Sequence, residues 1–187
     1  AGKSGRKKDL AQIAMSYGNV YVAQIAMGAD FNQCLKAIIE AEAYAGPSLI
    51  VAYSPCIAHG YDMLYNQRQQ ELAVKSGHWP LFRFDPRLAE GNGNPFKLDS
   101  APPSQPIQAF MESETRFAML ARTHPEDAQR FLAAAQQAAD HRHVEVDAGG
   151  DVRRDEAVGV EDVREHQVVD VELELYASPA NLLYPYV

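Results

Sequence analysis

At 187 residues, 47% of them apolar, the chain is long enough for one domain with an extension and can bury a real core. Its formal net charge of -8 argues against a nucleic-acid surface, because phosphate binding needs clustered Lys and Arg. No run approaches the roughly 20 apolar residues of a membrane span, and the N-terminus has neither a signal peptide's apolar centre nor a transit peptide's pattern, so the expectation is a soluble cytoplasmic protein. Without a secretory signal the two cysteines, Cys34 and Cys56, are expected as reduced thiols.

The chain opens on Ala1 and a basic, Gly-containing stretch from Gly2 to Lys8, which reads as a linker entering a helix and gives the expectation of a fragment. Lys8 to Tyr17 carries Leu10, Ile13, Ala14 and Tyr17 at helical spacing, with Gly18 as the stop. Val20 to Ala26 is β-branched and aromatic, long enough for a buried strand. Asp30 or Asn32 can cap the next helix, whose Phe31, Cys34, Leu35, Ile38 and Ile39 are expected on one face, and Gly46 and Pro47 end it. Ser48 to Tyr53 is again nearly all apolar, as in a strand covered on both faces. Strand, helix, strand at this spacing is a βαβ unit with a right-handed crossover. The fold class is therefore expected to be α/β, a parallel sheet with flanking helices followed by a mainly helical C-terminal extension.

Asp62 to Ser76 reads as a Gln-rich surface helix, Leu81 to Phe84 as a short strand, and the stretch from there to Pro106 as an irregular connection with at most an extended Phe96 to Leu98. Ile107 to Ala121 and Pro125 to Asp140 are expected as two helices, the second with Pro125 at its first position and Glu126 and Asp127 complementing its dipole. Between Val144 and Glu174 there are nine Val, eleven Asp or Glu, three Arg and no Lys. That stretch has neither a period of 2 nor one of 3.6 and is not expected to pack as one compact element.

Ligands of open α/β sheets gather at the carboxyl ends of strands, and Cys56 lies three residues beyond the Ser48 to Tyr53 strand, between Pro55 and Gly60. From position alone it reads equally as a ligand and as a small buried apolar residue. Cys34 sits among Phe31, Leu35 and Ile38 at helical spacing and reads as core. An iron–sulfur cluster normally takes four thiolates, so any cluster at Cys56 must be completed from outside this chain. His59 is the only nearby His, and a Cys56–His59 nucleophile pair lacks an orienting acid. Trp79 with Pro80, Leu81, Phe82 and Phe84 reads as a packing cluster, Glu40 with Glu42 as a solvated helix end, and His141 and His143 are given no role.

Gly5-Arg6-Lys7-Lys8-Asp9-Leu10, Tyr17-Gly18, Val20 to Ala23, Met27-Gly28-Ala29, Glu40 to Ala43, Gly46 to Ile50 and Ala52-Tyr53-Ser54-Pro55-Cys56-Ile57 together resemble the single-chain pyruvate:ferredoxin/flavodoxin oxidoreductases. Ser76-Gly77, Trp79 to Arg83, Asp85-Pro86, Asn94-Pro95-Phe96 and Leu98-Asp99-Ser100 continue the resemblance in the same order. The resemblance implies that residues 1–100 are the later half of a thiamine-diphosphate-binding domain, 101–143 a helical extension, and 144–187 an atypical acidic tail. The Val, Ala, Asp, Glu and Gly of that tail fit out-of-frame translation of GC-rich DNA.

It further implies oxidative decarboxylation of pyruvate to acetyl-CoA on thiamine diphosphate and Mg2+, with coenzyme A as co-substrate and [4Fe-4S] clusters passing electrons to ferredoxin or flavodoxin. The full enzyme is expected to be a homodimer. Cys56 is then one ligand of the cluster nearest the thiamine, with its companion cysteines upstream, and Cys34 matches no ligand. The family's Gly-Asp-Gly motif and its Asn-containing loop are not in this chain, so the chain alone is expected neither to hold thiamine diphosphate well nor to catalyse the reaction. The competing readings are a non-catalytic α/β interaction or dimerisation module and a complete small thiol enzyme.

Overall fold

The computed structural model describes residues 9–90 and 93–147, with 141–147 as backbone only. The expected tail at 144–187 therefore lies, apart from the backbone of its first four residues, outside the described residues, as do the side chains of His141 and His143.

Helix α1, Leu10–Met15, starts where the Asp9 carboxylate accepts the Gln12 N–H at 3.0 Å, satisfying one of the amides that a helix start leaves unpaired. The chain turns at Gly18 in the left-handed region (φ 73°) and enters strand β1, Tyr21–Ile25. Asp30, and not Asn32, caps helix α2, Phe31–Glu42, by accepting the Gln33 N–H. Strand β2, Ser48–Ala52, then pairs parallel with β1, from Tyr21 opposite Ser48 to Ile25 opposite Ala52. The strand–helix–strand order with parallel pairing is as the sequence indicates, but β2 is half-exposed along its length and not covered on both faces.

The sheet as a whole is mixed, not parallel, in the order β2-β1-β3-β4. Strand β3, Phe82–Phe84, runs antiparallel to β1, and β4, Phe96–Leu98, runs antiparallel to β3. The reason lies in where the chain goes after β2. Helix α3, Asn66–Lys75, stays at the carboxyl ends of β1 and β2 instead of packing back along the sheet. Gln70 Oε1 accepts the Gly28 N–H at 2.9 Å, and Trp79 Nε1 donates to the Ile25 carbonyl at 3.1 Å. The chain thus re-enters the sheet from the end at which β1 leaves it, so β3 can only run the opposite way. Among the described residues β2 and β4 are the edge strands.

Alternation along β1 divides the packing between two faces. Tyr21, Ala23 and Ile25 pack with Cys34 and Ala37 of α2, while Val22 packs with Ala11 of α1 and with Phe82 and Phe84. A third cluster closes the carboxyl end, joining Ala26, Tyr53, Ala73, Trp79 and Leu81 to Ile107, Phe110 and Met111 of helix α5 (Ile107–Met111) and to Ala135 and Ala139 of helix α7 (Pro125–Asp147). Burying each of the larger side chains contributes roughly 1.5–3 kcal/mol. Trp79 is a core residue there, edge-on to Tyr53 with ring centroids 5.4 Å apart.

Three local expectations are corrected. Helix α2 does not turn its bulky residues inward: Phe31, Leu35, Ile38 and Ile39 are 47–62% exposed, and the buried face is built from Gln33, Cys34 and Ala37. Small side chains let the helix axis approach the sheet closely. Glu40 is not a solvated helix end, because it accepts from the Tyr21 hydroxyl at 3.0 Å and from Arg83 Nη1 at 2.6 Å. Arg83 also pairs with Asp99 through Nε and Nη2 at 2.7 and 2.8 Å, so one buried guanidinium joins α2, β3 and the residue after β4. Finally, helix α4, Pro86–Glu90, occupies the start of the connection read as irregular.

Candidate functional site: the Cys56 loop

Tyr53 leaves β2 with its N–H still on the Ile25 carbonyl at 2.9 Å, which carries the parallel pairing one residue further. Cys56 follows in extended conformation (φ -140°, ψ 137°) as the cap of a 3-10 turn over Ile57–His59. Its Sγ accepts the Ala58 N–H at 3.4 Å, and its carbonyl accepts the His59 N–H at 3.1 Å. Gly60 ends the turn in the left-handed region (φ 79°). The thiol is free and half-buried. The loop therefore presents a sulfur on a short, internally bonded turn at the carboxyl edge of a parallel strand pair, already receiving a backbone N–H of the kind that stabilises thiolate sulfur.

The helix expected over residues 107–121 is broken, and the break holds this loop. Helix α5 ends at Met111, Glu114 is extended (φ -112°, ψ 124°), and helix α6 begins at Thr115 and runs to Thr123. At the corner the Thr115 N–H and hydroxyl both donate to the Gly60 carbonyl, the amide at 3.2 Å. Glu114 is fully buried, accepts from Gln69 Nε2 of α3 at 2.7 Å, and pairs with Arg116 Nε. Ser113 Oγ lies 2.6 Å from both Gln69 Oε1 and the Phe110 carbonyl. Sequence reading missed this corner; the available signal was the hydroxyls of Ser113 and Thr115 around Glu114, residue types that compete with helical bonding.

Burial, with a smaller contribution from the Arg116 charge, pushes the His59 imidazole down to about 4. Tyr61 is pushed up to about 12 by burial first, then by the negative charges of Glu114 and Cys56. Burial raises the Glu114 carboxyl although Arg116 pulls it back. His59 is 3% exposed, and among the described residues it makes no hydrogen bond to the Cys56 thiol. That removes the geometry a Cys–His nucleophile needs.

Cys34 is buried on the inner face of α2 beside Tyr21, Ile25 and Ala37, with its thiol raised by burial, and does not join Cys56. Among the described residues no group of three or more His, Cys, Asp or Glu is arranged to hold a metal ion. The donor set thus fits a single thiolate contributed to a shared centre. It does not fit a complete metal site. No helix among the described residues is long and apolar enough to cross a membrane.

Fold and loop together define an α/β segment that presents one free thiol on a braced turn at the carboxyl end of a parallel strand pair. Comparison with known proteins then gives the particular relationship: the chain is homologous to one segment of the pyruvate:ferredoxin and pyruvate-flavodoxin oxidoreductases. It is 50% identical over 141 residues to the pyruvate:ferredoxin oxidoreductase of Moorella thermoacetica, covering 75% of this chain and 12% of that protein. It is 53% identical over 137 residues to the pyruvate-flavodoxin oxidoreductase of Rhodospirillum rubrum, covering 73% and 11%. A probable pyruvate-flavodoxin oxidoreductase of Escherichia coli is 50% identical over 130 residues, covering 70% and 11%. The chain thus spans about one-eighth of the length of these relatives. No family model matches it.

Proposed function

We propose that the chain is part of a pyruvate:ferredoxin/flavodoxin oxidoreductase, within which Cys56 is one of four thiolate ligands to a [4Fe-4S] cluster. The observation that carries this reading is the Cys56 turn itself. It holds a free, half-buried sulfur on the loop leaving a parallel strand, with the Ala58 N–H already directed at it, inside a stretch 50% identical to such an enzyme. On this reading residues 1–100 are the later half of a thiamine-diphosphate-binding domain and 101–143 its helical extension.

The overall reaction is pyruvate plus coenzyme A giving acetyl-CoA, CO2, one proton and two electrons, the electrons leaving singly for ferredoxin or flavodoxin. Thiamine diphosphate, when bound with Mg2+, supplies the electron sink for decarboxylation. This chain's own part is to position. The Ile57–His59 turn fixes the Cys56 sulfur, and Thr115 ties Gly60 down. A docking module without catalysis leaves the braced thiol without a use, and the isolated chain is inactive on either reading.

The test is Cys56→Ser in the full-length oxidoreductase containing this segment. The expected result is loss of iron from one cluster and at least a tenfold loss of ferredoxin or flavodoxin reduction. Full iron content with unchanged acceptor reduction would overturn the proposal.

A further inference from the structure

Near the Cys56 loop several buried polar side-chain atoms have no hydrogen-bond partner. The Arg116 side chain is 10% exposed and spends its Nε on Glu114, while Nη1 and Nη2 are buried with no hydrogen-bond partner. His59 Nδ1 and the Tyr61 hydroxyl are likewise buried and unpartnered. Buried polar groups are nearly always satisfied, and leaving one unsatisfied is costly. Several such groups in one neighbourhood ask for a common explanation. They do share a neighbourhood: Arg116 acts electrostatically on both His59 and Tyr61, Tyr61 also feels Glu114 and Cys56, and the His59 and Tyr61 rings lie 6.4 Å apart.

Resting on the reading that Cys56 ligates a cluster, we propose that Arg116, paired with Glu114 and joined by Tyr61, is a positioning residue that sets the reduction potential of that cluster from the protein side of the Cys56 loop. A four-thiolate cluster gains one negative charge when it accepts an electron, and its potential follows nearby charge, hydrogen bonds to sulfur, and burial. A guanidinium fixed in a low-dielectric site stabilises the reduced form more than the oxidised form. Glu114 sets how much of that charge is balanced, and Gln69 and Ser113 hold Glu114 in place. Gly60 and Thr115, lying between the two groups in sequence and bonded to one another, keep loop and charge at a fixed separation.

The two charges make opposite demands, and looser packing alone cannot imitate that. In the full-length oxidoreductase, followed by redox titration with spectroscopic detection of each reduced cluster, Arg116→Gln is expected to lower the midpoint of the Cys56 cluster. Glu114→Gln is expected to raise it. Each shift should be about tenfold in the reduced-to-oxidised ratio at fixed poise, about 59 mV for a one-electron couple. Arg116→Lys should return the midpoint most of the way, and Tyr61→Phe should lower it slightly. Shifts of the same sign, or no shift in either charge variant, overturn the inference. If Arg116→Gln does not accumulate as folded protein, Glu114→Gln decides alone, a rise supporting the inference and no change or a fall overturning it. Cys56→Ser with full iron content would instead overturn the ligand reading on which it rests, whatever the Arg116 result.

Discussion

Thr115 sits against Gly60 closely enough that a methyl group would not fit: a Cβ built on Gly60 would lie 2.6 Å from Thr115 Cβ. Gly60 is also in the left-handed region at φ 79°, where a Cβ costs about 1–2 kcal/mol even in open space. Gly60→Ala is therefore expected to destabilise the chain by more than that, about 2–4 kcal/mol, because Thr115 is β-branched and tied to the Gly60 carbonyl. Urea unfolding measures it. A cost below 1 kcal/mol would mean that the loop is not held by the α5–α6 corner.

Arg83 bridges Asp99 and Glu40 with its own side chain 7% exposed, while the exposed Lys36 reaches Glu40 only at 4.0 Å. Arg83→Met is expected to cost about 3–5 kcal/mol, because it strands carboxylates that were paired in a largely buried site. Arg83→Lys should recover only part of this, since a single ammonium cannot reproduce the two-point contact with Asp99. Equal denaturation midpoints for the lysine variant and the parent would contradict the fork geometry.

His59 titrates near 4 in the folded chain and near 6.5 when unfolded. Between those values the unfolded chain takes up the extra proton, so the stability attributable to His59 falls as pH drops from 6.5 toward 4, by up to about 1.4 kcal/mol per unit. Glu114 works in the opposite sense, because its raised carboxyl favours the folded state at low pH and loses that advantage as pH rises. The comparison that isolates His59 is the stability of the parent minus that of His59→Gln across this range. It should slope with pH, and a flat difference would mean that the imidazole is not held neutral.

Cys34→Ala is expected to cost about 1 kcal/mol by trimming a packed side chain, and to leave the iron content of the full-length oxidoreductase unchanged. Set beside Cys56→Ser, it separates the two thiols by role. Loss of iron in the Cys34 variant would show that burial on α2 is not the whole of its part.

The βαβ unit was legible because β1 and β2 are mostly apolar runs, interrupted by only Gln24 in the first and opened by Ser48 in the second, and α2 has Asp30 to start it, all local signals. Cys56 was legible as a loop thiol for the same reason, and the count of two cysteines meant that any cluster held there would need ligands from elsewhere. What escaped was set by long-range contacts. The antiparallel entry of β3 depends on Trp79 reaching Ile25 and Gln70 reaching Gly28, neither of which leaves a mark on hydrophobic periodicity. The break before Thr115 is likewise decided by Gln69 and Gly60, far away in sequence. Within α2, Phe31 and Leu35 share a helical stripe, but spacing alone cannot say whether that stripe faces inward, and here Cys34 and Ala37 do.

Among the described residues β2 has one side unpaired, and its five residues, Ser48–Ala52, include Leu49, Ile50 and Val51 with no charge or proline to discourage a stray partner. In the segment by itself that edge and the exposed Phe31 and Leu35 of α2 are open to association and to triage by chaperones and proteases. The strand that delivers Cys56 to its loop is thus also the strand whose free edge would make a released segment prone to associate with others of its kind.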